Sequence, residues 1–159
     1  MLHRLILTCL AVAAAQPALA LSCLRPDVIR LYIEARDSED LYSMVVGKIT
    51  ATNPIAIPKK DNGGSTKADT TVRVTGRSLT SSGFSAPFDR EVTLRASCLS
   101  VWCADPPALE TEVFLTLRPD GDARVVEIGP CPFNALPWTA DDEARVLNCH
   151  RFDRCSIAE

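Results

Sequence analysis

The spacing of apolar positions changes along this chain, and each change marks an element. Leu5 to Ala15 is an apolar run, interrupted only by Thr8. Val28, Leu31, Tyr32 and Ala35 then recur at i, i+3, i+4 and i+7, the stripe of a helix that Pro26 opens and Asp37-Ser38 closes. Strand patterns follow. Leu41 to Thr52 is rich in β-branched residues and predicts a long strand, with Gly47 as a bulge or bend. Thr70 to Thr75 and Arg90 to Ala96 alternate, placing Val72 and Val74, then Val92 and Leu94, on one face, and Ser81-Ser82-Gly83 breaks the chain between them. Glu112 to Leu117 and Ala123 to Ile128 flank Arg118-Pro119-Asp120-Gly121-Asp122, a hairpin signal. A last helix runs from Thr139 to Arg151. Thr139 is its N-cap, with Asp142 in capping-box spacing and Asp141 and Glu143 beside it; Arg145, His150 and Arg151 lie toward the negative end. Ala140, Ala144 and Leu147 share its expected buried face.

The order is helix, roughly five short strands, helix, with no βαβ alternation, which predicts a mainly β fold closing into a barrel. The two terminal helices are expected to pack side by side against it. Asn53 to Asp69 holds Pro54, Pro58, Lys59-Lys60 and Asn62-Gly63-Gly64 and predicts an exposed loop. It is longer than a compact hairpin needs, so it is either mobile or functional.

Composition places these elements in a compartment. Residues 1–20 read as a secretory signal: Arg4, the apolar run, the Gln16-Pro17 break and a small-x-small cleavage site at Ala18-Leu19-Ala20. Cleavage after Ala20 leaves a single domain over 21–159, secreted or periplasmic, with no run long enough to span a bilayer. A second cut after Ser22 and a lipid anchor on Cys23 are the other options, the latter poorly matched by Ala20 and Leu21. The Ala-rich signal and the lack of an Asn-x-Ser/Thr sequon favour a bacterial periplasm. Losing Cys9 takes the seven cysteines to six, an even number that predicts disulfides in an exported chain. Cys98 and Cys103 are close enough to close a small local loop. The C-x4-C and C-x5-C spacings are not those of zinc sites, so no metal and no cofactor is expected. The net charge of −3 with scattered basic residues argues against nucleic acid.

Nothing in the sequence has the form of a catalytic motif. After the signal the one histidine is His150, next to Cys149, and adjacent helix positions do not face each other; it reads as a cation near a helix end. No phosphate loop, nucleophile elbow or metal-ligand helix is present, so the chain is read as non-enzymatic. Trp102 and Trp138 neighbour cysteines and read as packing residues rather than ligand platforms.

The tail CPFNALPWTADDEARVLNCHRFDRC, Cys131 to Cys155, resembles the end of the inhibitory domain of tissue inhibitors of metalloproteinases, within the netrin-like (NTR) group. Leu21-Ser22-Cys23 looks like that family's opening Cys-x-Cys with its first cysteine replaced, and Asp40 to Lys48 is similar to its first strand, with Val-Val-Gly-Lys. The resemblance implies an OB-type five-stranded barrel with flanking helices. It also implies a Cys23–Cys131 bridge, from the family's pairing of its early cysteine with the one before Pro-Trp. With the other family cysteines missing, proximity pairs Cys98 with Cys103 and Cys149 with Cys155. Family inhibitors chelate a protease's zinc through the α-amino group and carbonyl of their first cysteine, which a disulfide locks to a mid-chain loop. Here Leu21 takes that place. The expected function is an exported protein-binding module, in its specific form a metalloprotease inhibitor acting through Leu21, Ser22 and Cys23, with the 53–69 loop as a second contact. The alternative is a periplasmic structural or small-ligand module with no protease target.

Overall fold

In the computed structural model, which describes residues 23–59, 65–131 and 133–158, the first helix, α1, spans Val28–Arg36. Asp27 caps it, its carboxylate accepting from the N–H groups of Ile29 at 2.8 Å and Arg30 at 3.3 Å. Pro26 therefore precedes the cap rather than sitting in the first turn. Val28, Leu31, Tyr32 and Ala35 are all buried, joined by Ile29.

Seven strands follow among the described residues: β1 (Ser43–Thr50), β2 (Ser65–Thr80), β3 (Gly83–Leu99), β4 (Trp102–Cys103), β5 (Glu112–Asp120), β6 (Ala123–Ile128) and β7 (Ala135–Pro137). Five of them close a ring of pairings, β1-β2-β3-β6-β5 and back to β1, in which only β3–β6 is parallel. The two short strands, which the sequence patterns did not mark, pair at the ends: β4 on β3 and β7 on β5. The protein is thus mainly β, with two helices among the described residues.

Because side chains alternate along a strand, the ring has two apolar faces. Val45, Ile49, Val74, Leu94, Leu115 and Val126 belong to one buried cluster. Their neighbours Val46 and Phe114 point the other way and join Phe84, Leu136, Trp138 and the helices. Val72, Val92 and Leu94 are buried as the alternation predicts.

Three expectations are corrected. Gly47 is neither bulge nor bend: it lies opposite Gly76 in the β1–β2 register. A Cβ on Gly47 would run into the Thr75 carbonyl, and one on Gly76 into that of Val46, so the pair permits a close backbone approach. The irregularity falls in the β2–β3 pairing, where Ser78 faces Ala86 and Leu79 faces Phe84, leaving Ser85 of β3 as the extra residue. Second, β2 starts at Ser65 rather than Thr70, so the predicted 53–69 loop is partly strand; Ile55 and Ile57 pack on the core, while 60–64 lie outside the described residues. The polar run over 65–71 hid this, because a hairpin partner, β3, supplies its hydrogen bonds without a buried face. Third, the buried residues of the last helix are Val146 and Cys149, with Leu147 half-buried and Ala140 and Ala144 exposed. Alanines offer little area, and the bridged Cys149 fixes which side turns inward.

That helix, α2, spans Ala140–Phe152 and starts with the predicted capping box: Thr139 Oγ1 accepts from the Asp142 N–H at 3.2 Å and Asp142 returns the bond to the Thr139 N–H at 3.1 Å. It lies against α1. Arg145 Nη2 donates to Asp27 Oδ2 at 2.6 Å, and Tyr32 and His150 meet at 3.0 Å. Burial pushes the Asp27 carboxyl's pKa up, but the Arg145 hydrogen bond, the Ala158 and Ile29 N–H groups and the Arg145 charge together hold it below its ordinary value. Three disulfides staple the fold: Cys23–Cys131, Cys98–Cys103 and Cys149–Cys155.

The docking of α1 has a direct test in urea unfolding. Leu31→Ala removes a side chain that is 3% exposed and should cost about 2–5 kcal/mol, whereas Leu147→Ala, half-buried, should cost clearly less. Costs near zero for both would show that the helices are not docked on the sheet.

Candidate docking face

Of the proposed contact residues, Leu21 and Ser22 lie outside the described residues, as does the predicted signal segment; Cys23 is the first described. Cys23 is exposed and bonded to Cys131, itself half-buried, with Cα atoms 5.5 Å apart. Cys131 belongs to the connection between β6 and β7, and Asn134 holds that connection in shape. Asn134 Nδ2 donates to the Glu127 carbonyl at 2.7 Å, and its Oδ1 accepts from Thr116 Oγ1 at 3.0 Å.

Beside the bridge is a groove of about 330 Å³. Its apolar wall is Leu99, Ile128, Pro130 and Phe133, with Cys131 at the rim, and Lys67, Arg95 and Glu127 contribute the charges. Most of that charge is already engaged: Arg95 contacts Asp69 at 2.8 Å and Asp120 at 3.1 Å, and Arg118 contacts Glu127 at 3.2 Å. The Arg95 hydrogen bond holds the Asp69 carboxyl below the usual carboxylate range. Lys67 is the more loosely held cation, 4.0 Å from Glu127.

Leu99 connects the groove to a second feature. Cys98 and Cys103 face each other in the β3–β4 register, and their bridge closes a hairpin that turns through Ser100 at φ 55°. The Ala104 N–H donates to the Ser97 carbonyl at 2.9 Å below it. Leu99, Val101 and Trp102 stand out from this tip, 54%, 49% and 47% exposed. Apolar residues on both sides of a tight closed turn cannot all face inward, a signal the sequence carried. The carbonyl of Pro58 lies 3.3 Å from Cys98 Sγ, so Pro58 of the predicted second-contact loop lies against this bridge. Bridge, groove and tip form one continuous surface, since Cys131 and Leu99 both line the groove.

The tryptophans therefore divide. Trp138 packs as expected, 8% exposed against Phe114 at 5.3 Å and Phe84 at 5.4 Å between ring centroids. Trp102 does not. His150 does more than sit near a helix end: Nε2 donates to the Thr80 carbonyl at 3.1 Å, and Nδ1 lies 3.0 Å from the Tyr32 hydroxyl. Cys149 is bridged and offers no thiolate.

Among the described residues no three His, Cys, Asp or Glu side chains converge in a metal-holding group, and no helix is long and apolar enough to cross a membrane. No family model, curated protein or solved structure matches the chain.

The division of the tryptophans can be measured. Trp102→Ala should change unfolding free energy by no more than about 0.5 kcal/mol, the range for surface positions. Trp138→Ala should cost about 3–5 kcal/mol. Iodide should quench the emission lost with Trp102 and spare the rest; the reverse pattern would bury the tip.

Proposed function

We propose that this chain is an exported, non-enzymatic protein-binding module of the NTR and tissue-inhibitor type, built on an OB-type barrel, with its signal cut after Ala20. The observation that carries this reading is the continuous face made by the Cys23–Cys131 anchor, the groove and the exposed tip of Leu99, Val101 and Trp102. Exposed aromatic and aliphatic side chains on a disulfide-closed turn, beside a groove, are the makings of a binding hot spot at low ordering cost. The ring order, with β5 returning to β1 and β3 parallel to β6, supports the OB-type assignment. The three bridges fit an oxidising compartment.

In its specific form the module inhibits a zinc metalloprotease. The amine and carbonyl of Leu21 chelate the metal, Ser22 enters the specificity pocket, and Cys23 fixes the segment behind them. Cys98 is bonded to Cys103, so no disulfide locks the wedge residue to a mid-chain loop, and affinity is lower than a disulfide-anchored wedge gives. The groove, at the small end of ligand-site volumes, favours the second reading, a structural or small-ligand module without a protease target.

A panel of zinc proteases assayed with protein beginning at Leu21, and with the same protein carrying one extra alanine before it, tests the wedge. Inhibition should be seen with the first and lost with the second. It should weaken as pH falls below the amine pKa of roughly 7.7–8, because the protonated amine has no lone pair for the metal. Equal inhibition by both proteins, or none by either, removes the wedge.

A further inference from the structure

The three bridges differ in how they are covered. Cys98 and Cys149 are each 1% exposed and their partners Cys103 and Cys155 are half-buried, so neither of these two bridges contains an exposed cysteine. Cys23 is exposed and Cys131 half-buried. Disulfide exchange requires a thiolate to reach a sulfur, so Cys23–Cys131 is the bridge that a dissolved dithiol attacks first.

Opening it also leaves the contacts of both joined segments in place. On one side α1 keeps its Asp27 cap, the 2.6 Å Arg145 contact and its buried face of Val28, Ile29, Leu31 and Tyr32. On the other, Asn134 still holds the connection from β6 to β7 through Glu127 and Thr116. What loses its tether is Cys23, the residue proposed to fix the wedge.

We propose that Cys23–Cys131 is a redox-controlled anchor: a dithiol reductant opens it while the rest of the fold stays closed, so the docking face is complete only in the oxidised protein. The functional consequence rests on the wedge reading above; the selective opening does not. One thiolate of the reductant attacks Cys23 Sγ and expels the Cys131 thiolate. The second reductant thiolate then displaces Cys23 from the mixed disulfide. Two electrons pass to the protein, two protein thiols form after protonation, and the reductant leaves as its own disulfide.

Protein beginning at Leu21 is titrated with dithiothreitol, freed thiols are trapped with iodoacetamide and mapped by mass spectrometry, and ¹⁵N relaxation is followed at Leu24 and Ile29. Cys23 and Cys131 should be trapped at a reductant concentration about tenfold below that which frees any other cysteine. The Leu24 order parameter should fall from a rigid value of about 0.85 to below about 0.6 while Ile29 stays rigid. Freeing of another pair in the same step, loss of far-UV circular dichroism with the first thiols, or an unchanged Leu24 would overturn the proposal. The Cys23→Ser, Cys131→Ser double variant adds a functional arm. Where the oxidised protein inhibits a protease and the variant inhibits it equally, redox control fails and the wedge stands. Where the oxidised protein inhibits nothing, the wedge fails, and selective opening is decided by the trapping order and Leu24.

Discussion

The covalent tie between Cys23 and Cys131 is the constraint that joins the two ends of the domain and stabilises the arrangement the packing makes. It joins the lead-in to the first helix to the connection that enters β7, Trp138 and the last helix. With those two points fixed, both helices start from the same region of the sheet, and Asp27 is placed to meet Arg145. In the chain-entropy account a loop of this length restricts the unfolded chain by roughly 4–5 kcal/mol, a large share of the stability of a domain this size. The same tie sets Cys23 next to Cys131, which lines the groove, so one bond serves both the packing and the proposed contact surface.

The ring of strands determines what that tie can act on. Its alternating residues create two apolar faces, and the helices cover the one that presents Val46, Phe84, Phe114 and Trp138. The facing Gly47 and Gly76 let β1 and β2 approach where any side chain would collide with backbone. The ends of the strands are left to carry exposed apolar residues, and the Cys98–Cys103 hairpin is where they gather. An exposed Trp and two aliphatic neighbours are tolerable on a monomer's surface. Held by a bridge beside a groove, they gain the rigidity that binding surfaces use.

What was legible in the sequence was local. The stripe of α1, the Thr139–Asp142 capping box and the turns at Ser81-Ser82 and Gly121-Asp122 depend on residues a few positions apart, and each is in the structure. What depends on distant partners was not legible. The glycine pair needs two strands in register, the polar start of β2 is a strand only because β3 lies beside it, and the inward side of α2 is set by Cys149 rather than by its alanines. The candidate face followed the same rule. Its cysteines could be read, but the groove between Leu99 and Cys131 and the outward turn of Trp102 exist only once β3, β6 and the bridge are assembled.

Peptide mapping of the unreduced protein tests this account most directly, because the place of Cys23 beside the groove and the joining of the lead-in of α1 to the β6–β7 connection both follow from one pairing. The account predicts a peptide joining Cys23 to Cys131, with Cys98 joined to Cys103 and Cys149 to Cys155. A peptide linking Cys23 to Cys98 or Cys103 would contradict it, since the N-terminal segment would then be tied to the tip and not to the connection ahead of the last helix.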